Sequence, residues 1–364
     1  MVVYNFAAGP AVMPKPVIQQ IQTELPSLNG SGMSIMEISH RSPAFDAIIQ
    51  QAEARLRHLM AIPDDYAVLF MQGGGTGQFA AAPLNLATKH HHIAVLDSGQ
   101  WASRAAAEAK RLGIAADVLA TTKPDHYRHL PTMPEALAQD TYDYLHLCLN
   151  NTVEGTAYTT LPEHGDTPLV ADMSSNICAQ RYNVSDFGMI FAGAQKNLGP
   201  AGVTVVIVKR ALLSDVEAVP SALDYTLFDK KNSLYNTPPV FAIYALNLTL
   251  GWIEDLGGID AMEKRNREKS SKLYAFLDRS KLFHNYVEPR DRSLTNVVFN
   301  TGDADLDQAV VDAAAAQGLM NLKGHRSVGG LRASLYNAMP LAGVDALIDF
   351  LTQFEKEHEY YVQR

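Results

Sequence analysis

Residues 171–208 read ADMSSNICAQRYNVSDFGMIFAGAQKNLGPAGVTVVIV, and the reading of this stretch decides the fold. An apolar run, PLVAD, ends on Asp172, and a second, MIFAG, delivers Gln195 and Lys196 to a glycine-rich turn. In an open parallel sheet, ligands gather at the carboxyl ends of the strands. An acid and an amine at two such ends can therefore face one pocket. Pyridoxal phosphate needs that pair: a lysine holds the cofactor covalently, and a carboxylate keeps the pyridine nitrogen protonated so that the ring acts as an electron sink. The plainer alternative is a surface lysine in a tight turn and an aspartate capping a helix. The apolar strands on either side of Lys196 weigh against it, because a solvated lysine is poorly placed between them.

Outward from this stretch, strands and helices alternate. Strand AVLFMQ (67–72) meets GGGTG (73–77) and helix QFAAAPLNLA (78–87). Strand IAVLDSG (93–99) leads to helix QWASRAAAEAKRLG (100–113) and strand ADVLATT (116–122). A short helix, MPEALAQD (133–140), precedes strand YDYLHLCLN (142–150), and VTVVIV (203–208) completes the series. The alternation predicts an α/β fold with a mainly parallel sheet covered by helices. Upstream lie an extended arm (1–15), a helix from Pro16 to about Leu25, a Gly/Ser-rich loop carrying His40 and Arg41, and an amphipathic helix from about Ala44 to Met60. Downstream, residues 221–236 read as irregular, a helix opens behind paired prolines, and a long charged helix (258–280) connects two domains. Strand NVVFN (296–300), helix 305–318, strand GLRASLY (330–336) and a closing helix near Val344–Glu357 form a smaller C-terminal α/β domain. The expected division is a large domain of residues 16–265 and a small one built from 1–15 and 266–364.

The chain has 364 residues, 47% of them hydrophobic and 19% charged, which suits a soluble globular protein of about two domains. A net charge of −9 argues against a nucleic-acid partner, which demands a basic footprint. Cys148 and Cys178 cannot build a disulfide framework. Pro10, Pro14 and Lys15 interrupt any signal-peptide core, and no apolar run is long enough to span a bilayer. A cytoplasmic location without membrane attachment is expected. His90, His91 and His92 look metal-like, but adjacent residues entering a strand alternate faces, so no metal site is expected.

Four motifs in order, NFAAGPAVMP (5–14), DMSSN (172–176), FAGAQKNLGPAG (191–202) and the GHR, VGGLRAS and YNAMP segments of 324–340, resemble the phosphoserine aminotransferase family. These are class-V, fold-type I pyridoxal-phosphate enzymes, and the resemblance spans Asn5 to Pro340, nearly the whole chain. It implies that Lys196 and Asp172 are catalytic and that Gln195 and Thr152 contact the cofactor. It also implies that Trp101 stacks on the ring, for which a core tryptophan is the plain alternative. Gly75 and Thr76, at the start of a helix, are placed to hold the cofactor phosphate through backbone N–H groups. Read without the family, GGGTG is a tight turn or a dinucleotide loop, although G-x-G-x-x-G is not satisfied. Some family members carry an arginine where Thr76 stands.

Further from Lys196, the resemblance brings Asn236 and Thr237 from a partner subunit to the cofactor phosphate, within a homodimer of shared active sites. It sets Arg332 on the substrate α-carboxylate, and His325 and Arg326, with the partner's His40 and Arg41, on a distal anion. Arginine's planar fork suits carboxylate and phosphate alike. The implied reaction moves an amine from glutamate to 3-phosphohydroxypyruvate in serine biosynthesis, and 4-phosphohydroxythreonine of vitamin B6 synthesis stays open as a second substrate. The alternatives are another class-V enzyme, such as a cysteine desulfurase or an alanine/serine–glyoxylate aminotransferase, and a nucleotide-binding dehydrogenase.

Overall fold

Strand β1 (Tyr4–Asn5) and helix α1 (Lys15–Glu24) lead to α2 (Pro43–Met60), whose Ser42 cap accepts a hydrogen bond from Phe45 N. The βα series then runs β2 (Tyr66–Met71), α3 (Gly74–Leu86), β3 (His92–Asp97), α4 (Gln100–Arg111), β4 (Ala115–Thr121), β5 (Leu145–Cys148), β6 (Leu169–Asp172), β7 (Met189–Gly193) and β8 (Thr204–Lys209). After it come α5 (Tyr225–Lys230), α6 (Val240–Asp255), α7 (Gly258–Leu277), β9 (Asn296–Phe299), α8 (Ala304–Ala316), β10 (Leu319–Met320), β11 (Leu331–Ser334) and α9 (Leu341–Glu357). The computed structural model describes residues 2–134, 137–216 and 219–358.

Seven strands share one sheet in the order β2-β8-β7-β6-β5-β3-β4. From β7 to β4 every pairing is parallel, and β5, β6 and β7 are buried along their whole length. Helices on both faces cover them, which is why their sequences are continuous apolar runs. β8 departs from the parallel rule: it pairs antiparallel with both β7 and β2. A parallel return needs a crossover of a dozen or more residues, and residues 194–203 are too few. The chain therefore doubles back, pairing Gly193 with Thr204, and Lys196 sits in that reversal.

Two expectations are corrected. No helix forms over the described part of 133–140; Glu135 and Ala136 lie outside the described residues. Asp140, at the end of the stretch, has left-handed backbone (φ 56°), which a helix does not allow. The stretch 221–236 is not wholly irregular, for it contains α5, capped by Asp224 (2.9 Å from Leu227 N) and tied to α3 by a Tyr225 hydroxyl donating to Gln78 (2.6 Å).

β9 and β11 form a small antiparallel sheet, and β1 pairs with β10, which sets the N-terminal arm beside the C-terminal elements. The seam between this part and the large sheet is polar. Asn150 donates to Ser175 Oγ and Asn296 Oδ1 (both 2.7 Å) and accepts from Ser293 (2.5 Å). Lys269 of α7 donates to the carbonyls of Leu335 (2.9 Å) and Tyr336 (2.7 Å) just beyond β11. At the far edge of the large sheet, β4 is mostly exposed, with a bulge where its partner passes from Val95 to Leu96. Asp117 on that edge meets His92 and the Tyr142 hydroxyl, each at 3.0 Å. No helix among the described residues is long and apolar enough to cross a membrane.

Gly155 tests the seam. Its φ is +81°, and an added Cβ would lie 2.6 Å from Val298 Cγ2. Left-handed strain and overpacking together make Gly155→Ala cost about 2–4 kcal/mol. Denaturant unfolding should show that loss; a change within experimental error would mean that β9 yields freely at this point.

Candidate active site

The strand ends of the large sheet and the turn that follows β7 enclose a cavity of about 270 Å³. Of the residues singled out in the sequence, Gly75, Thr76, Trp101, Thr152, Asp172, Gln195, Lys196, His325 and Arg332 line it. Asp172, the last residue of β6, is buried and its Oδ1 accepts from Ser174 N at 2.9 Å. Lys196 is half-buried on the cavity wall. Its Nζ donates to Thr152 Oγ1 (3.0 Å) and lies 5.8 Å from the Trp101 ring centroid. Desolvation lowers the pKa of this amine below the usual lysine value, against the opposing pull of the Asp172 carboxylate. Desolvation wins, so a neutral amine is available at lower pH than on a surface lysine.

Arg332, on β11, reaches the same cavity and is oriented by its Nη1 donating to the Thr152 carbonyl (3.1 Å). Thr152 thus touches the amine through its side chain and the guanidinium through its backbone. Glu154, two residues on, is buried; burial pushes its carboxyl up to about 7, and one oxygen accepts from Gln100 N (2.8 Å) at the start of α4. Gly99 has no room for a side chain, since a Cβ there would meet Glu154 Oε2 at 2.6 Å.

His40, Arg41, Arg326, Asn236 and Thr237 do not line this cavity. Arg326 lines a larger hollow outside it. His40 and Thr237 border a separate surface depression, and the Thr237 carbonyl accepts from Gln72 (3.1 Å). Sequence reasoning missed Ser174, Phe79, Gly9 and Glu154. Ser174 was within reach, standing two residues after Asp172; its hydroxyl accepts from Gly193 N (3.1 Å) and so ties the ends of β6 and β7 together. Gly9 closes the floor, where a Cβ would lie 3.6 Å from Lys196 Cγ.

The donor set fits pyridoxal phosphate. An amine and a carboxylate occupy neighbouring strand ends, an indole forms a wall, and the first-turn N–H groups of α3 open at Gly75 and Thr76. The Trp101 Nε1 is buried without a hydrogen-bond partner among the described residues. A desulfurase nucleophile finds no counterpart: both cysteines are buried, and burial raises both thiols, Cys178 to about 12.

Comparison with known proteins gives the same reading. The Aminotransferase class-V family profile matches residues 3–347. A phosphoserine aminotransferase of Lactobacillus helveticus is 64% identical, over 99% of this chain and 96% of that protein. The solved phosphoserine aminotransferase of Bacillus circulans subsp. alkalophilus superposes with a TM-score of 0.95 at 42% identity, over 98% of this chain and 99% of that one. A PLP-bound phosphoserine aminotransferase from Trichomonas vaginalis gives 0.91 at 37% identity, over 96% of this chain and all (100%) of that one.

Borohydride reduction of the cofactor-loaded protein, followed by peptide mapping, should place the pyridoxyl group on Lys196. Lys196→Ala should lose both the label and the visible absorbance. A label on any other lysine would overturn the assignment.

Proposed function

This chain belongs to the class-V aminotransferases, a family of fold-type I pyridoxal-phosphate enzymes, and on that premise we propose that it is the phosphoserine aminotransferase of serine biosynthesis. It passes the amine of L-glutamate to 3-phosphohydroxypyruvate, giving O-phospho-L-serine and 2-oxoglutarate. The observation that carries this reading is the placement of the Lys196 amine, Asp172 and the Arg332 fork around one small cavity.

Pyridoxal phosphate, when bound, supplies the electron sink that makes the substrate Cα–H acidic. The residues of this chain do the rest. Asp172 keeps a proton on the ring nitrogen. Lys196 would anchor the cofactor through Nζ, and the same amine, when free, would serve as the base for the substrate Cα proton and carry it onward. Its lowered pKa suits a group that must accept a proton near neutral pH. The Thr152 hydroxyl orients that amine, and Arg332 holds the substrate α-carboxylate in its planar fork. Trp101 would offer the cofactor ring an aromatic face, and Gln195 a further contact from the same wall. Backbone N–H groups at Gly75 and Thr76 hold the cofactor phosphate, with no arginine at Thr76 to add charge. His325 and Arg326 face the distal anion.

The reading includes a homodimer of shared sites in the cytoplasm. Each protomer divides into a cofactor-binding unit, 16–265, and a smaller unit from 1–15 and 266–364. Asn236, Thr237 and Arg41 are exposed and lie off their own cavity, and the nearby segments expose Met33, Met36 and Tyr235. Such a surface suits a partner subunit rather than water. Across the interface, Asn236 and Thr237 would serve the partner's cofactor phosphate, and His40 and Arg41 its distal anion.

Two experiments test this. Charge-assisted hydrogen bonds are worth about 1.5–3 kcal/mol each, so losing two costs on the order of 10²–10⁴ in specificity. 3-Phosphohydroxypyruvate should beat hydroxypyruvate by that order in kcat/KM, and Arg326→Ala should erase most of the difference without altering the cofactor spectrum. Equal use of hydroxypyruvate or pyruvate would sink the substrate assignment. In the second, mixing Arg41→Ala with Lys196→Ala protein should restore activity, because one hybrid site is whole; a silent mixture after verified subunit exchange rules out sharing.

A further inference from the structure

Beyond the reaction cavity, a second and larger hollow of about 1160 Å³ opens between α4, the 123–128 turn, the His284–Tyr286 segment and the 325–328 turn. His325 lines both spaces, so the two meet at this one side chain. The 325–328 turn touches the start of α4, where Ser327 Oγ donates to Gln100 Oε1 (3.4 Å), next to Trp101 of the reaction cavity.

The wall of this hollow is cationic. Arg104, Lys123, Arg128 and Arg326 all line it, joined by His126 and His284. Those four Arg and Lys side chains have no ion-pair partner among the described residues; Arg104 instead lies 5.4 Å from the Trp101 ring centroid. Glu154 is the one acidic residue on the wall, and its carboxyl, pushed up to about 7, is only partly ionised at neutral pH. All this stands in a chain whose net charge is −9. Like charges around a concave, poorly polarisable wall repel one another and focus a positive field outward. The hollow is several times the volume of the cavity that holds Lys196. A small acid cannot touch all its walls at once, so at Lys123 and Arg128 the field, not close coordination, is what the hollow offers.

We propose that this hollow is a capture site for small phosphorylated carboxylates, in series with the reaction cavity, in which Lys123 and Arg128 raise the rate of substrate entry without taking part in the chemistry. The proposal rests on the functional reading above, since it is the phosphorylated substrate that gives the field its purpose. It separates two demands on one cleft. The inner cavity selects by geometry, and the outer hollow gathers anions by charge.

The test is stopped-flow mixing of cofactor-loaded enzyme with O-phospho-L-serine, followed by the cofactor absorbance, from about 0.01 M to about 0.15 M ionic strength. The second-order rate constant of the native enzyme should fall steeply with salt. Lys123→Glu combined with Arg128→Glu should lower the low-salt value by about tenfold and flatten the salt dependence. The turnover number at saturation should stay at the native value. Lys281→Glu, an exposed site outside the hollow, should behave as native. A double variant with native rates and a native salt slope overturns the proposal, as does one whose saturated turnover collapses, because the residues would then act in the reaction rather than in capture. If native enzyme fails to react with O-phospho-L-serine, the functional reading falls, and the hollow is judged by inorganic phosphate alone. Its ³¹P line should be broadened by the native protein and measurably less by the double variant; equal broadening refutes the capture site.

Discussion

A lysine amine stripped of most of its water, facing a carboxylate across a small cavity, is the constraint on which the rest of this structure depends. Removing an ammonium from water costs several kcal/mol, and one nearby carboxylate does not repay it in full. The structure resolves the conflict by letting the amine lose its proton easily: desolvation dominates, Asp172 only tempers it, and the amine's pKa falls. Everything that touches Lys196 serves that balance. Thr152 accepts its hydrogen bond, Ser174 locks the ends of β6 and β7 together, and the tight return into β8 holds Lys196 at the strand ends.

The same balance explains why the seam between the large sheet and the C-terminal elements is built from amides and hydroxyls. Three apolar clusters hold the body of the molecule, two against the faces of the large sheet and one in the C-terminal part. Apolar packing alone tolerates sliding, whereas hydrogen bonds with fixed partners do not. Asn150, Ser175, Ser293 and Asn296 form one such lock, and Asn266, Asn337 and Asn197 form another that ends beside Lys196. Each member is buried, so a slipped register would leave polar groups unpaired at about 1–3 kcal/mol apiece. Arg332 enters the cavity from β11, so these bonds place the strand that carries it, and the Thr152 carbonyl then fixes its aim.

Much of this was legible in the sequence, for identifiable reasons. Buried parallel strands have to be apolar throughout, so PLVAD and MIFAG announced themselves, and an acid or an amine at such an end has few structural excuses. The orientation of β8 was legible in principle, because the number of residues after β7 forbids a crossover, yet the apolar run by itself carries no direction. α5 hid because its six residues are too few to show a period. Glu154 hid because one carboxylate in a turn looks like any other until burial and the Arg332 side chain stand beside it. His40, Arg41, Asn236 and Thr237 remain off their own cavity, and nothing in the sequence of one chain says what they face.

The edge strand β4 carries a consequence for the life of the molecule in a crowded solution. An open parallel sheet must end somewhere, and a bare strand edge invites pairing with the edge of another copy. Here the edge bears a carboxylate, Asp117, whose partners His92 and Tyr142 belong to the same molecule, and the ladder beside it is broken by a bulge. A second copy approaching strand to strand would bring two such carboxylates together and find the register interrupted. Resistance to fibrous association is thus written into the same sheet that builds the catalytic floor, on the edge farthest from the β2 side.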